Sequence, residues 1–321
     1  MTTSPHPSLE NRRLPRWLAL LAAVVVGVLT TVQAKINGAL GAAIDDGLVA
    51  AVISFGSGFA ILLLLSALTP GGRAGLARLG RGVRAGRIRP WMLLGGLAGA
   101  LTVGTQSTTV AVIGVATFTV GVVAGQTAGG VVLDRVGYGP AGVVGVTVGR
   151  IAGALLAVAA VVVALVGHGV GEAPTWMLVL PFAAGAGIAW QQATNGRLRE
   201  AVDSPLTATL VNFTGGTLAL AVVAGIHTIA AGPPAHLAAE PWLYLGGATG
   251  VVYIFLSAAV VRHTGVLHLG LCSVAGLLAA SLVIDVLWPG NASLPLPLAL
   301  TSVIIALVGV VVAVVPRWRR R

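Results

Sequence analysis

The sequence predicts an all-α membrane protein: ten transmembrane helices arranged as two inverted five-helix repeats. Three observations carry that expectation: an apolar, charge-poor composition, about ten long apolar runs, and a pattern that the second half repeats with its charges redistributed. Of 321 residues, 56% are hydrophobic and 9% charged, with a mean hydropathy of +0.96. A soluble domain carries about 25% charge, so little of this chain can face water.

A helix needs roughly 20 apolar residues to cross a hydrocarbon core of about 30 Å. Runs of that kind cover 14–36, 48–69, 90–110, 113–133, 146–167, 176–197, 205–227, 241–261, 264–287 and 296–316. They do not alternate polar with apolar residues as barrel strands do, and a backbone in lipid must satisfy its own hydrogen bonds, so they read as helices. The first run follows "NRRLPRW". It is long, has no small-x-small site close behind its core, and reads as a retained helix rather than a signal peptide.

The net charge of +10 belongs to topology rather than to nucleic acid. With Arg12, Arg13 and Arg16 in the cytoplasm, Arg73, Arg78, Arg81, Arg84, Arg87 and Arg89 fall in the next cytoplasmic loop. Arg135, Arg150, Arg197, Arg199, Arg262 and the tail "PRWRRR" keep to that side, which leaves only Lys35 on the other. Asp45, Asp46, Glu172, Glu240 and Asp285 lie outside, so both termini are expected in the cytoplasm.

Residues 33–58 match 191–216 at an offset of 158, with ten identities in 26 positions, among them Gln33/Gln191, Asn37/Asn195, Asp45/Asp203, Phe55/Phe213 and Gly58/Gly216. "PWMLLGG" at 90 then matches "PWLYLGG" at 241, offset 151, and Gly114/Gly265 and Gly125/Gly276 keep that register. The expected organisation is a cytoplasmic tail over 1–13, repeat 1 over 14–167, an outer linker over 168–175, repeat 2 over 176–316 and a basic cytoplasmic tail over 317–321. Five spans per repeat is odd, so the second repeat enters the membrane upside down. The charges agree: the turn "NGALGAAIDD" has no arginine, and its copy "NGRLREAVDS" gains Arg197 and Arg199. Inverted repeats of this kind place a binding site between them near the membrane midplane.

The polar residues inside these runs are the candidate pathway. Gln33 and Asn37 share a helix face by their four-residue spacing, as do Gln191 and Asn195. They read either as a lining of neutral donors and acceptors at opposite ends of one path, or as interhelical glue with the Asn-Gly step ending each helix. Gln106, Gln126 and Asn212 join that lining on the same terms. Trp190 could stack on a planar or cationic substrate or pack at an interface. Lys35 reads as a snorkelling side chain or a counter-charge for an anion, and His268 as a proton carrier or a helix-end hydrogen bonder.

No helix centre carries a carboxylate, and HExxH, GxSxG and GK[ST] are all missing from the sequence, so no catalytic residue, metal or cofactor is expected. Cys272 is the single cysteine, which excludes a disulfide framework. The arginine-rich loop 73–89 fits topology setting and anionic headgroups equally well.

The stretches "GVLTTVQAKINGALGAAIDDGLVAAVISFGSGFAILLLL", "PWMLLGGLAGAL" and "GVATFTVGVVAGQTAGGVVLD" resemble the bacterial YdcZ-type inner-membrane exporters of the drug/metabolite transporter (DMT) superfamily, in a tandem-fused form. The resemblance spans roughly 14–315 and occurs twice. It implies a DMT-like ten-helix carrier that moves small molecules by alternating access, and it implies no particular substrate. Lys35 and Trp190 match no motif of the family, and Gln126 becomes Leu277 in the second copy, so any site is asymmetric. The expected partners are a small-molecule substrate and the lipid bilayer. A monomer suffices because both repeats lie in one chain, and a dimer stays open. A non-transporting membrane scaffold or partner subunit is the alternative reading.

Overall fold

A computed structural model describes residues 15–138, 142–143, 147–167, 175–288 and 295–314. Among the described residues it contains ten α-helices. In order they are α1 (Arg16–Ala43), α2 (Gly47–Leu68), α3 (Pro70–Arg84), α4 (Gly95–Ile113), α5 (Val115–Arg135), α6 (Val148–Gly167), α7 (Thr175–Val202), α8 (Pro205–Ala231), α9 (Gly246–Leu287) and α10 (Leu296–Val314). Short 3₁₀ turns at Pro90–Leu93 and Pro241–Leu245 lead into α4 and α9. Among the described residues, five stretches, Trp17–Ala43, Gly47–Leu68, Pro90–Ile113, Val115–Leu133 and Pro205–Ala231, are long and apolar enough to cross a membrane.

The corners are built alike. Asp45 (φ 53°) ends α1 in the left-handed region and Asp203 (φ 46°) does the same for α7, a conformation that Asp tolerates better than most residues. The next residue caps the following helix. Asp46 accepts from the amides of Leu48 and Val49 at 3.0 and 2.9 Å, and Ser204 accepts from that of Thr207 at 3.2 Å. The Asn-Gly steps therefore end neither helix. α1 runs six residues past Asn37 to Ala43, because Asn37 is buried and bonded within the bundle and the left-handed stop comes later, at Asp45.

Two further elements differ from the sequence reading. The loop expected over 73–89 is largely helical as α3, capped by the Thr69 hydroxyl, which accepts from the Gly72 amide at 3.1 Å. Its buried side is Gly72, Gly75 and Gly82, and Arg78 donates to the carbonyls of Val202 and Asp203 at 2.7 and 3.0 Å. The second difference is that 246–287 is one helical run where two helices were expected. Straight, 42 residues would extend about 63 Å at 1.5 Å each. Yet Gln33 bonds the carbonyl of Gly246, and Lys35, two residues on, bonds that of Trp288. Ala19 and Ala23 share one buried cluster with Val260 and Leu269. The run therefore doubles back between Val260 and Leu269, and both of its legs lie along α1.

α7 is held in the matching way, between α4 and α5, while α2 packs on α8 and α6 on α10. α2 and α8 run antiparallel. Asp46 meets His227 at 3.5 Å at one end, the rings of Phe55 and Phe213 stack in the middle (centroids 4.7 Å, 30° between planes), and Gly75, just beyond α2, meets Thr207 and Ser204 at the other. Around the ring pair lies an apolar core that includes Leu62, Val103, Leu210 and Leu220. The outward faces of α2 and α8 expose Leu63, Leu64, Leu218 and Val222, as a lipid-facing surface does.

Candidate functional site

Two sets of side-chain amides flank the Phe55–Phe213 stack. The first is built on α1, where Gln33 and Asn37 point the same way one turn apart. Gln33 Nε2 donates to the Gly246 carbonyl at 3.0 Å, and Asn37 Nδ2 donates to Gln106 Oε1 of α4 at 2.8 Å. The second is built on α7. Gln191 Nε2 and Asn195 Nδ2 both donate to one acceptor, Asn212 Oδ1 of α8, at 2.9 and 3.0 Å.

Glycine lets each pair reach the opposite half of the chain. A Cβ at Gly246 would overlap Asn37 Oδ1, and one at Gly250 would overlap Gln33 Nε2. A Cβ at Gly95 would overlap Asn195 Oδ1, and one at Gly99 would stand 2.6 Å from Gln191 Nε2. These four glycines occupy equivalent places in "GGLAG" and "GGATG". The ring of Phe213 borders Gly250 beside Gln33, and the ring of Phe55 borders Gly99 beside Gln191. The glutamine of each pair therefore lies beside one ring of the aromatic stack.

The packing repeats farther out. Gly27 of α1 lies against the Ser273 carbonyl and Gly185 of α7 against that of Val122, and both contact pairs obey the sequence offsets of 158 and 151. Beyond each amide pair a cation covers aromatic rings. Lys35 Nζ lies 5.9 Å from the centre of the Trp288 ring, which packs on Trp242 at 5.1 Å, and donates to the Trp288 carbonyl at 3.1 Å. Arg197 lies over Trp91 and Tyr138 at 5.7 and 5.9 Å and donates to the carbonyls of Tyr138 and Gly137 at 2.8 and 3.1 Å. Trp91 and Trp242 are the tryptophans of the repeated "PW" turns.

The structure thus joins Gln33, Asn37 and Gln106 in one set and Gln191, Asn195 and Asn212 in another. Gln126 stands apart, donating to Gln192 at 3.4 Å between α5 and α7. Trp190 is half-buried and belongs to neither bonded set. Lys35 points to Trp288, away from Gln33. His268 lies in the helical run of α9, with its side chain outside the described residues. The sequence reading missed the ring stack, Ser54, the four glycines and the Arg197 cluster. Phe55/Phe213 and the GGxxG steps were visible as repeat identities, without any sign that they face each other.

The sequence profile of the family described as "Putative inner membrane exporter, YdcZ" matches residues 18–163 and again residues 176–312. The chain belongs to that family. It carries the YdcZ unit twice and is a multi-pass membrane protein of an exporter family. No curated protein matches it. A solved crystal structure, described only as that of a protein, is similar at 18% identity with a TM-score of 0.51, covering 94% of this chain and 98% of its own. At that identity the likeness shows the fold alone. The two YdcZ units each contribute one amide pair, and each pair is completed by the glycine step of the other unit.

Proposed function

We propose that this YdcZ-family protein is a secondary transporter that exports a small polar or amphipathic molecule by alternating access. Its ten spans form two inverted five-helix repeats, with both termini in the cytoplasm. The observation that carries this reading is the pair of buried amide sets exchanged across the Phe55–Phe213 stack. The antiparallel course of α2 and α8 supports the inversion. So does the charge contrast between the α3 segment, with six arginines over 73–89, and 228–240, which has no Lys or Arg.

In this reading the Gln33/Asn37 set faces the outer mouth and the Gln191/Asn195 set the inner one. The aromatic stack separates them, so a solute bound at one set is sealed from the other. Opening the outer mouth releases Lys35 from Trp288, and opening the inner mouth releases Arg197 from Tyr138 and Gly137. The rings and cations at both mouths are engaged together here, which corresponds to an occluded conformation. Transport needs no catalytic residue. The close burial of the amides also suits the second reading, a non-transporting scaffold or partner subunit in which they only hold helices together.

The deciding experiment is solute flux in proteoliposomes across a metabolite panel, with and without a pH gradient. Wild type is expected to move at least one solute and the Gln33→Ala and Gln191→Ala variants to lose that flux while folding normally. Loss of folded protein in both variants favours the scaffold. Cysteine labelling should place 71–89 and 228–240 on opposite faces of the membrane. Labelling from a single face refutes the inversion.

A further inference from the structure

Most of the buried hydrogen-bonding capacity left unused around the ring stack lies in the first amide set. Gln33 Oε1, Asn37 Oδ1, Ser54 Oγ and Gln106 Nε2 have no partner, although their residues are only 1%, 0%, 2% and 0% exposed. Asn37 Oδ1 and Ser54 Oγ both border Gly246, and Gln33 borders Gly250 and the Phe213 ring. A buried polar atom without a partner costs on the order of 1–3 kcal/mol, so a native structure that keeps several together invites a guest. In the second set only Asn212 Nδ2 is both fully buried and without a partner.

The cause is a swap between the repeats. Asn212 aligns with Ser54, and Gln106 aligns with Ser257. Asn212 is long enough to accept from both Gln191 and Asn195, whereas Ser54 reaches neither Gln33 nor Asn37.

We infer that the first set is a binding subsite for an uncharged, flat molecule with an amide-type edge: a carbonyl to accept from Gln106, an N–H to donate to Gln33 or Asn37, and a ring to lie against Phe213. This rests on the transporter reading for its meaning but not for its test. The unused atoms supply both hydrogen-bond roles, and none is ionisable. The nearest cation in sequence, Lys35, is committed to Trp288. A charged guest would be buried without a counter-ion, which is costly.

The test uses three molecules of one shape, benzamide, benzoate and benzamidinium, bound to the full-length protein in lipid nanodiscs and followed by calorimetry. Benzamide is expected to bind at least about tenfold more tightly than either ion. The double variant Ser54→Asn/Gln106→Ser, which gives the first set the residues of the second, is expected to lose about tenfold in benzamide affinity with an unchanged or higher Tm. Equal or tighter binding of an ion overturns the inference. So does benzamide binding that survives the double variant, or no benzamide binding to folded wild type. Flux of some solute without benzamide binding sinks the subsite and spares transport. Benzamide binding without flux of any solute does the reverse.

Discussion

The two amide sets start from the same phrase and end in different states. On α7, Gln191 and Asn195 converge on a single oxygen of Asn212. On α1, Gln33 takes a backbone carbonyl, Asn37 turns to Gln106, and Ser54 is left without a partner. A duplicated framework can therefore hold its geometry through the residues that contact backbone while its chemistry diverges through the residues that contact side chains. The glycines, the aspartates at the corners and the stacked rings are common to both halves. The hydrogen-bond acceptor is not.

The largest expected effect falls on what the halves share. A Cβ at Gly96 would overlap the Asn212 carbonyl oxygen, and one at Gly247 would overlap that of Ser54. Backbone cannot rotate aside as a side chain can, so helices must separate. Gly96→Ala and Gly247→Ala are each expected to cost about 1–3 kcal/mol, or more, and to cost alike. Thermal unfolding in detergent measures both. If one alanine is tolerated and the other is not, the two halves do not pack by the same contacts.

The next effect separates the halves. Asn212→Ser removes the acceptor of a buried donor, Gln191, and a half-buried one, Asn195, and is expected to destabilise by about 1–3 kcal/mol. Ser54→Ala removes a hydroxyl that bonds nothing and is expected to be neutral or slightly stabilising. Equal losses from the two would erase the asymmetry on which the subsite rests.

How much of this was legible beforehand follows the range of each interaction. Hydropathy reports on a helix's own solvent, so the long spans were readable. α3 was not, because a stretch as rich in glycine and arginine as "PGGRAGLARLGRGVR" reads as a loop until its small residues are seen to face protein. The Asn-Gly steps misled for a related reason: the chain-reversal signal is local, and burial of Asn37 against Gln106 overrode it. Spacing placed Gln33 with Asn37, and Gln191 with Asn195, because helix periodicity is local. That Gln33 meets Gly246, 213 residues away, has no local signature. Asn212 was picked out by polarity alone, and the Ser54/Asn212 difference was present in the aligned repeats. Its meaning required knowing that both positions face an amide pair.

The smallest effect concerns the two cation–aromatic clusters, the mouths of the proposed pathway, and it sharpens the comparison most finely. Arg197 offers a planar fork that meets two carbonyls and covers two rings, while Lys35 offers a point charge to one carbonyl and one ring. Guanidinium geometry is not reproduced by an ammonium, so Arg197→Lys is expected to cost about 1 kcal/mol. Lys35→Met keeps the apolar stem and gives up one half-exposed contact, so about 0.5 kcal/mol or less is expected. If the mouths open in alternation, the difference has a direction. Loosening the Arg197 mouth should raise the reactivity of a cysteine placed at Asn195 towards a thiol reagent added from the cytoplasmic side. Loosening the Lys35 mouth should raise that of a cysteine at Asn37 from the opposite side. Both reactivities rising from one side would mean that the two cation–aromatic clusters close the same entrance.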